Sequence, residues 1–210
     1  MTRDNSLNFI DNDVVLKVCQ YQLETLFCAN CASLESIRIL PTLKFKFSLN
    51  NPSKAIKYAK SEDNLQRLNM FVDKIREADE ALVSDHYLDL LQEIDQIDAG
   101  EAILFALAAQ NNESITFTGD KRSIIALSKI NDANLYDSIA GKVKCLEQSV
   151  AEMLVNSDTD EALQLIKGQP WDQTLRICSS GDINNMLDCL QSYYNSLATE
   201  SNSILAPFPI

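Results

Sequence analysis

One histidine, His86, stands in 210 residues, and Cys28-Ala29-Asn30-Cys31 has no second CxxC to complete it. A structural zinc site of Cys and His therefore lacks its four ligands. The aromatic share is only 7%, with five Gly and five Pro. A small all-β sandwich, which needs many turns, is disfavoured; helices with a few strands are favoured. No stretch approaches the ~20 apolar residues of a membrane span. The amino terminus is polar and reads as no signal peptide. A soluble, cytoplasmic protein with no membrane partner is expected. The six cysteines (19, 28, 31, 145, 178, 189) fall mostly in apolar stretches. They read as reduced, small hydrophobes rather than a disulfide framework. His86 reads as a surface or helix residue.

Positive charge is also scarce. The formal charge is −12 and the pI near 4.5, which taken alone argues against nucleic acid. The deficit is uneven. Residues 41–76 carry eight basic against three acidic side chains, a local +5, leaving −17 elsewhere. Such a stretch reads either as a solvated helix face or as a surface that meets phosphates.

What is present is a 46% hydrophobic chain with ample core. Residues 7–10 form a short apolar run that predicts a strand. Helical spacing follows over 14–27. Residues 37–40 read as a strand or a helix end. Helical patterns occupy 52–81 and 87–94, then 101–110 behind Asp98. A strand is predicted over 114–117, a helix over 121–130, then a turn at 131–134. A strand over 141–145 leads into a helix over 146–154. The last third reads as helices over 160–166, 171–178 and 182–197, and residues 200–210 as a frayed tail. Strands alternating with helices predict a three-layer α/β/α fold with a central, mainly parallel sheet and a helical C-terminal extension.

Three acidic signatures stand where a strand or loop hands over to a helix: Phe9-Ile10-Asp11-Asn12-Asp13-Val14, Asp98-Ala99-Gly100-Glu101-Ala102 and Ile115-Thr116-Phe117-Thr118-Gly119-Asp120-Lys121. Each has a purely structural reading. Asp11, Asn12 and Asp13 are good helix caps, Asp98 with Glu101 fits a capping box, and Asp120 can cap the next helix. The functional reading is that carboxylates at the mouth of an open parallel sheet gather around a divalent cation, which relieves their repulsion.

Phe-Ile-Asp-Asn-Asp-Val resembles the opening motif of PIN-like nuclease domains, with Asp13 where Asn is usual. The Ile97-to-Ala102 segment resembles that family's central acidic helix start, and Ile115-to-Lys121 its Thr-x-Asp strand end. The order and spacing agree over roughly residues 7–150. The resemblance implies a PIN-like domain over 1–150, with residues 151–210 as a helical extension packed on it. It implies a Mg²⁺- or Mn²⁺-dependent endonuclease acting most often on RNA. By motif position Asp11, Glu101 and Asp120 would be the catalytic, metal-binding acids. Asp13, Asp98, Asn12 and Ser123 are secondary candidates. Lys44, Lys46, Lys54, Lys57 and Lys121 are candidates for binding the nucleic acid. A homodimer and a cognate inhibitor protein are compatible with the resemblance.

Two departures mark the chain. A further Asp or Asn is common shortly after the third acid, where Lys121, Arg122 and Ser123 stand. The helical insertion between 50 and 95 is longer than in compact toxin-type members. A PIN-like scaffold that binds protein or RNA without cutting is one alternative. A haloacid-dehalogenase-like phosphatase is another, because Asp11-x-Asp13 after a strand resembles its nucleophile motif, although Val14-Val15 stand where small residues are usual.

Overall fold

The computed structural model describes residues 7–157 and 160–209. Residues 1–6, on which the absence of a leader was read, and Ile210 of the tail lie outside the described residues. The chain begins with β1 (Asn8–Ile10), α1 (Asn12–Gln20), α2 (Glu24–Asn30) and β2 (Ile37–Ile39). Next come α3 (Leu43–Lys46), α4 (Pro52–Ala59), α5 (Glu62–Val72), β3 (Arg76–Glu77) and a 3-10 turn at Glu80–Leu82. Then follow α6 (Asp85–Gln92), α7 (Ala99–Ala109), β4 (Ile115–Thr118), α8 (Lys121–Leu127), α9 (Ala133–Ile139) and β5 (Val143–Cys145). The final helices are α10 (Leu146–Asn156), α11 (Glu161–Ile166), α12 (Gln173–Cys178) and α13 (Ile183–Glu200).

The five strands form one parallel sheet in the order β3-β2-β1-β4-β5. The chain moves outward from β1 to β2 and β3, then returns to place β4 on β1's other side. The topological switch point therefore lies between β1 and β4, where open α/β sheets bind ligands at their carboxyl ends. Strand alternation sorts the side chains between two faces. Ile10, Ile37, Ile39 and Phe117 pack with Val14, Val15, Val18 and Val150 from α1 and α10. Phe9 packs with Leu104, Leu107 and Ala108 of α7. Helices thus cover both faces, as a parallel sheet requires, and the expected α/β/α layering is present.

Several local expectations change. The helix over 14–27 breaks at Tyr21 to Leu23, with Gln22 at φ 60. The run over 52–81 divides where Lys60 adopts a left-handed φ of 74 and Ser61 caps α5. It then yields an edge strand, β3, whose two residues are polar and exposed. Residues 37–39 are a strand, and a helix over 133–139 replaces the second half of the turn expected at 131–134. The tail is not frayed. Leu205 bridges to Val143, and Ile204, Leu205 and Ala206 are buried. Cys178 and Cys189 form a disulfide, which corrects the expectation that every cysteine is reduced. Cys28 and Cys31 are free, and burial pushes both thiols upward.

The C-terminal helices share the core of the sheet. Ile166, Leu175, Met186 and Leu190 belong to the same apolar cluster as Ile10 and Val15. The apolar side of α13 packs on α10 and α12, so that face is used within the chain. No described helix is long and apolar enough to cross a membrane.

Candidate active site

Asp11 follows the last residue of β1. Its backbone N–H donates to the Phe117 carbonyl at 2.9 Å, which ties the strand end to β4. It caps α1: Asp11 Oδ1 accepts the Asn12 N–H at 2.7 Å. The side chain is nearly enclosed, with 6% exposure. Burial, helped by the Asp13 charge, raises its pKa from 3.8 to about 6.

Glu101 comes from the first turn of α7. The capping box is real: the Glu101 N–H donates to Asp98 Oδ1 at 2.8 Å, and the Asp98 N–H to Glu101 Oε2 at 3.0 Å. Capping does not exhaust the residue. Glu101 is only 4% exposed. Burial raises its pKa from 4.5 to about 7 against the hydrogen bond from the Asp98 N–H, and the Asp98 and Asp11 charges add to the rise. Gly100 lets this helix end sit low on the sheet, since a Cβ there would lie 2.9 Å from Leu40 Cδ1.

Asp120 is oriented differently. It caps α8, accepting the Arg122 N–H at 2.8 Å, and both carboxylate oxygens accept from the Arg122 guanidinium, at 3.2 and 2.8 Å. Burial alone would raise Asp120, but the Arg122 contacts outweigh it and hold the acid below its ordinary value. The Asp11 charge thus reaches Glu101, while the third acid holds an arginine. Among the described residues no three His, Cys, Asp or Glu side chains lie close enough together to hold an ion.

The secondary candidates divide likewise. Asn12 is buried beside Asp11, and its Oδ1 has no hydrogen-bond partner. Ser123 is buried and donates to the Asp120 carbonyl at 2.9 Å. Asp13 is exposed and pairs with Lys46 at 3.4 Å. Burial works against the Lys46 charge, but Asp13, Asp11 and Asp98 outweigh it and raise its pKa. Of the other lysines, Lys44 pairs with Asp73 at 3.4 Å, and Lys54 and Lys57 lie exposed on α4. Lys121 turns to the buried Glu147 at 2.6 Å and contacts Thr174. His86 is exposed in the first turn of α6.

The first turn of α1 contributes to two hollows. One, of about 450 Å³, is lined by Asp11, Asn12, Leu40, Thr42, Phe45, Lys46 and the Asp98-to-Gly100 turn. The other, of about 290 Å³, joins Asp13 and Lys17 to Asp120, Arg122 and Asp172. Arg122, Lys17, Asp172 and Phe45 are additions to the sequence-based set. The Lys44-Phe45-Lys46 run was a usable signal for Phe45; nothing in the sequence linked Asp172, 160 residues away from the first motif, to Asp120.

Two buried carboxylates and an unsatisfied amide oxygen are hard oxygen donors, and they fit Mg²⁺ or Mn²⁺. Asp11, Glu101 and Asn12 would hold the ion; Asp120 would join them only on leaving Arg122. Comparison with protein-family models, curated proteins and solved structures finds no match for this chain.

Proposed function

We propose that this protein is a divalent-metal-dependent endonuclease of PIN-like type, with RNA as substrate. The observation that carries the reading is the Asp11–Glu101 pair. Both acids are almost fully buried at the switch point, both have raised pKa values, and neither forms a salt bridge among the described residues. Both acids cap helices, but a neutral amide would cap as well without the cost of a buried charge. Strongly perturbed acids in a cleft mark functional sites.

When bound, the ion would polarise a phosphate oxygen and acidify a water that attacks phosphorus in line. Asp11 and Glu101 supply the negative charge that draws the ion in. Asn12 Oδ1 offers a neutral donor beside them. The Asp98 N–H keeps Glu101 oriented. Lys46, on the rim, neutralises an incoming phosphate. Loss of Asp11 or Glu101 would remove part of the charge that would hold the ion.

The test is cleavage of labelled single-stranded RNA with Mg²⁺ or Mn²⁺, comparing wild type with Asp11→Asn, Glu101→Gln and Asp120→Asn. Metal-dependent cleavage lost in the first two variants is the expected outcome. The bidentate Asp120–Arg122 pair favours a second reading, a PIN-like scaffold that binds without cutting. Absence of wild-type cleavage across several RNAs and single-stranded DNA would select it. Hydrolysis of a chromogenic phosphomonoester would select the phosphatase instead.

A further inference from the structure

We propose that Phe45 is a stacking platform for an unpaired base, so that the hollow at Asp11 takes single-stranded nucleic acid. This rests on the reading of that hollow as a phosphodiester site and names the form of its substrate.

The short helix α3 explains why a phenylalanine faces water. Leu43 and Phe47, four residues apart, share its inner side and are fully buried. Phe45 lies between them on the opposite side and is 77% exposed. Its backbone is held: the Phe45 N–H donates to the Thr42 carbonyl at 3.0 Å, and the Phe47 N–H to that of Leu43 at 3.1 Å. The ring therefore projects from an anchored turn.

Single exposed apolar side chains are ordinary on soluble proteins. Position sets this one apart. Phe45 shares the wall of the hollow with Asp11, Asn12 and Lys46. Lys44 and Lys46 flank it in sequence, with side chains 41% and 43% exposed. An aromatic face bordered by half-exposed lysines, whose surface ion pairs are weak, and adjoining the buried Asp11 matches a nucleotide unit: the base lies on the ring, the backbone meets the lysines, and a phosphate reaches the Asp11 end of the hollow. Stacking on aromatic side chains is how proteins hold unpaired bases, and it tolerates any sequence because every base has a π-face. A duplex keeps its bases stacked on one another and offers none to the ring.

The experiment uses the full chain with Ca²⁺, a hard cation that would offset the charge of the carboxylates, and a gel of each sample checks that the strand stays intact. The probe is a short single-stranded RNA carrying 2-aminopurine, whose fluorescence is quenched on stacking, alongside the same strand in a duplex. Wild type is expected to bind the single strand with quenching. Phe45→Ala should weaken binding about tenfold or more and lose the quenching, while Phe45→Trp keeps both. Duplex binding should be weaker and indifferent to Phe45→Ala. The ring is exposed, so equal melting temperatures check the fold of each variant. Equal binding and quenching by Phe45→Ala would overturn the proposal and assign this face to another occupant, such as an inhibitor protein. Equal affinity for the duplex with the same loss in Phe45→Ala, or no binding by wild type, would also overturn it. Stacking without Mn²⁺-dependent cleavage would sink the nuclease alone; cleavage indifferent to Phe45→Ala would sink the platform alone.

Discussion

Replacing Asp11 by Asn removes a charge that the folded protein holds at a cost, and it keeps the oxygen that caps α1. The folded-state pKa is about 6 against an ordinary 3.8. Between those values the folded state retains a proton that the unfolded chain releases. Stability contributed by the protonated acid is fully present below pH 3.8 and is lost as pH rises through about 6. The full loss is about 3 kcal/mol, at one pKa unit per 1.36 kcal/mol. Asparagine does not titrate and incurs no such loss. Asp11→Asn is therefore expected to exceed wild type by up to about 3 kcal/mol at pH 7.5, and by only about 0.5 kcal/mol near pH 4. Urea unfolding in EDTA at both pH values measures the difference; groups that do not feel the Asp11 charge cancel in the comparison, whereas Glu101 and Lys46 shift with it. The same variant should lose metal-dependent cleavage, the opposition expected of a functional acid held at the expense of stability. A gain that is equal at both pH values, or a destabilised variant at pH 7.5, would refute the assignment of Asp11 as a buried acid ionised at a cost.

Glu101→Gln should behave alike in a higher window. Stability lost between pH 4.5 and about 7 in wild type is retained in the variant, and the amide oxygen still caps Asp98; thermal melts from about pH 4 to about pH 8, which span that window, would show the curves diverging. Arg122→Ala frees Asp120, whose pKa should move upward, and Mn²⁺ affinity should rise several-fold by isothermal titration; unchanged affinity would place Asp120 outside the ion site. Leu205→Ala removes a buried side chain from the edge of β5 and should cost about 2 kcal/mol or more in urea unfolding, whereas a frayed tail would show no effect.

The alternation of short apolar runs with helical patterns was enough to place β1, β4, β5 and most helices, and the parallel class of the sheet. Those features rest on periodicity and on capping residues, which are local properties of the chain. The acid-bearing turns were legible for the same reason, since Asp11, Asp98 and Asp120 each begin a helix. The break at Lys60 was not, because a lysine in a left-handed conformation carries no sequence mark. Nor was β3, whose Arg76 and Glu77 have no apolar face and become a strand only beside β2. Cys178 and Cys189 come within 5.4 Å between Cα atoms only because α12 turns back onto α13. Residues 204–206 pack because β5 is an edge strand with open backbone groups, satisfied here when the Ala206 N–H donates to the Val143 carbonyl.

The site shows the same division. Residue type and boundary position, both local, marked Asp11, Glu101 and Asp120. Which of them act together was decided by the sheet order, which sets β1 beside β4 and brings α7 over them. Burial then raised Asp11 and Glu101, whereas the guanidinium that holds Asp120 down belongs to Arg122, a local contact two residues on. Desolvation depends on what surrounds a group in space, so the tertiary structure alone could raise Asp11 and Glu101.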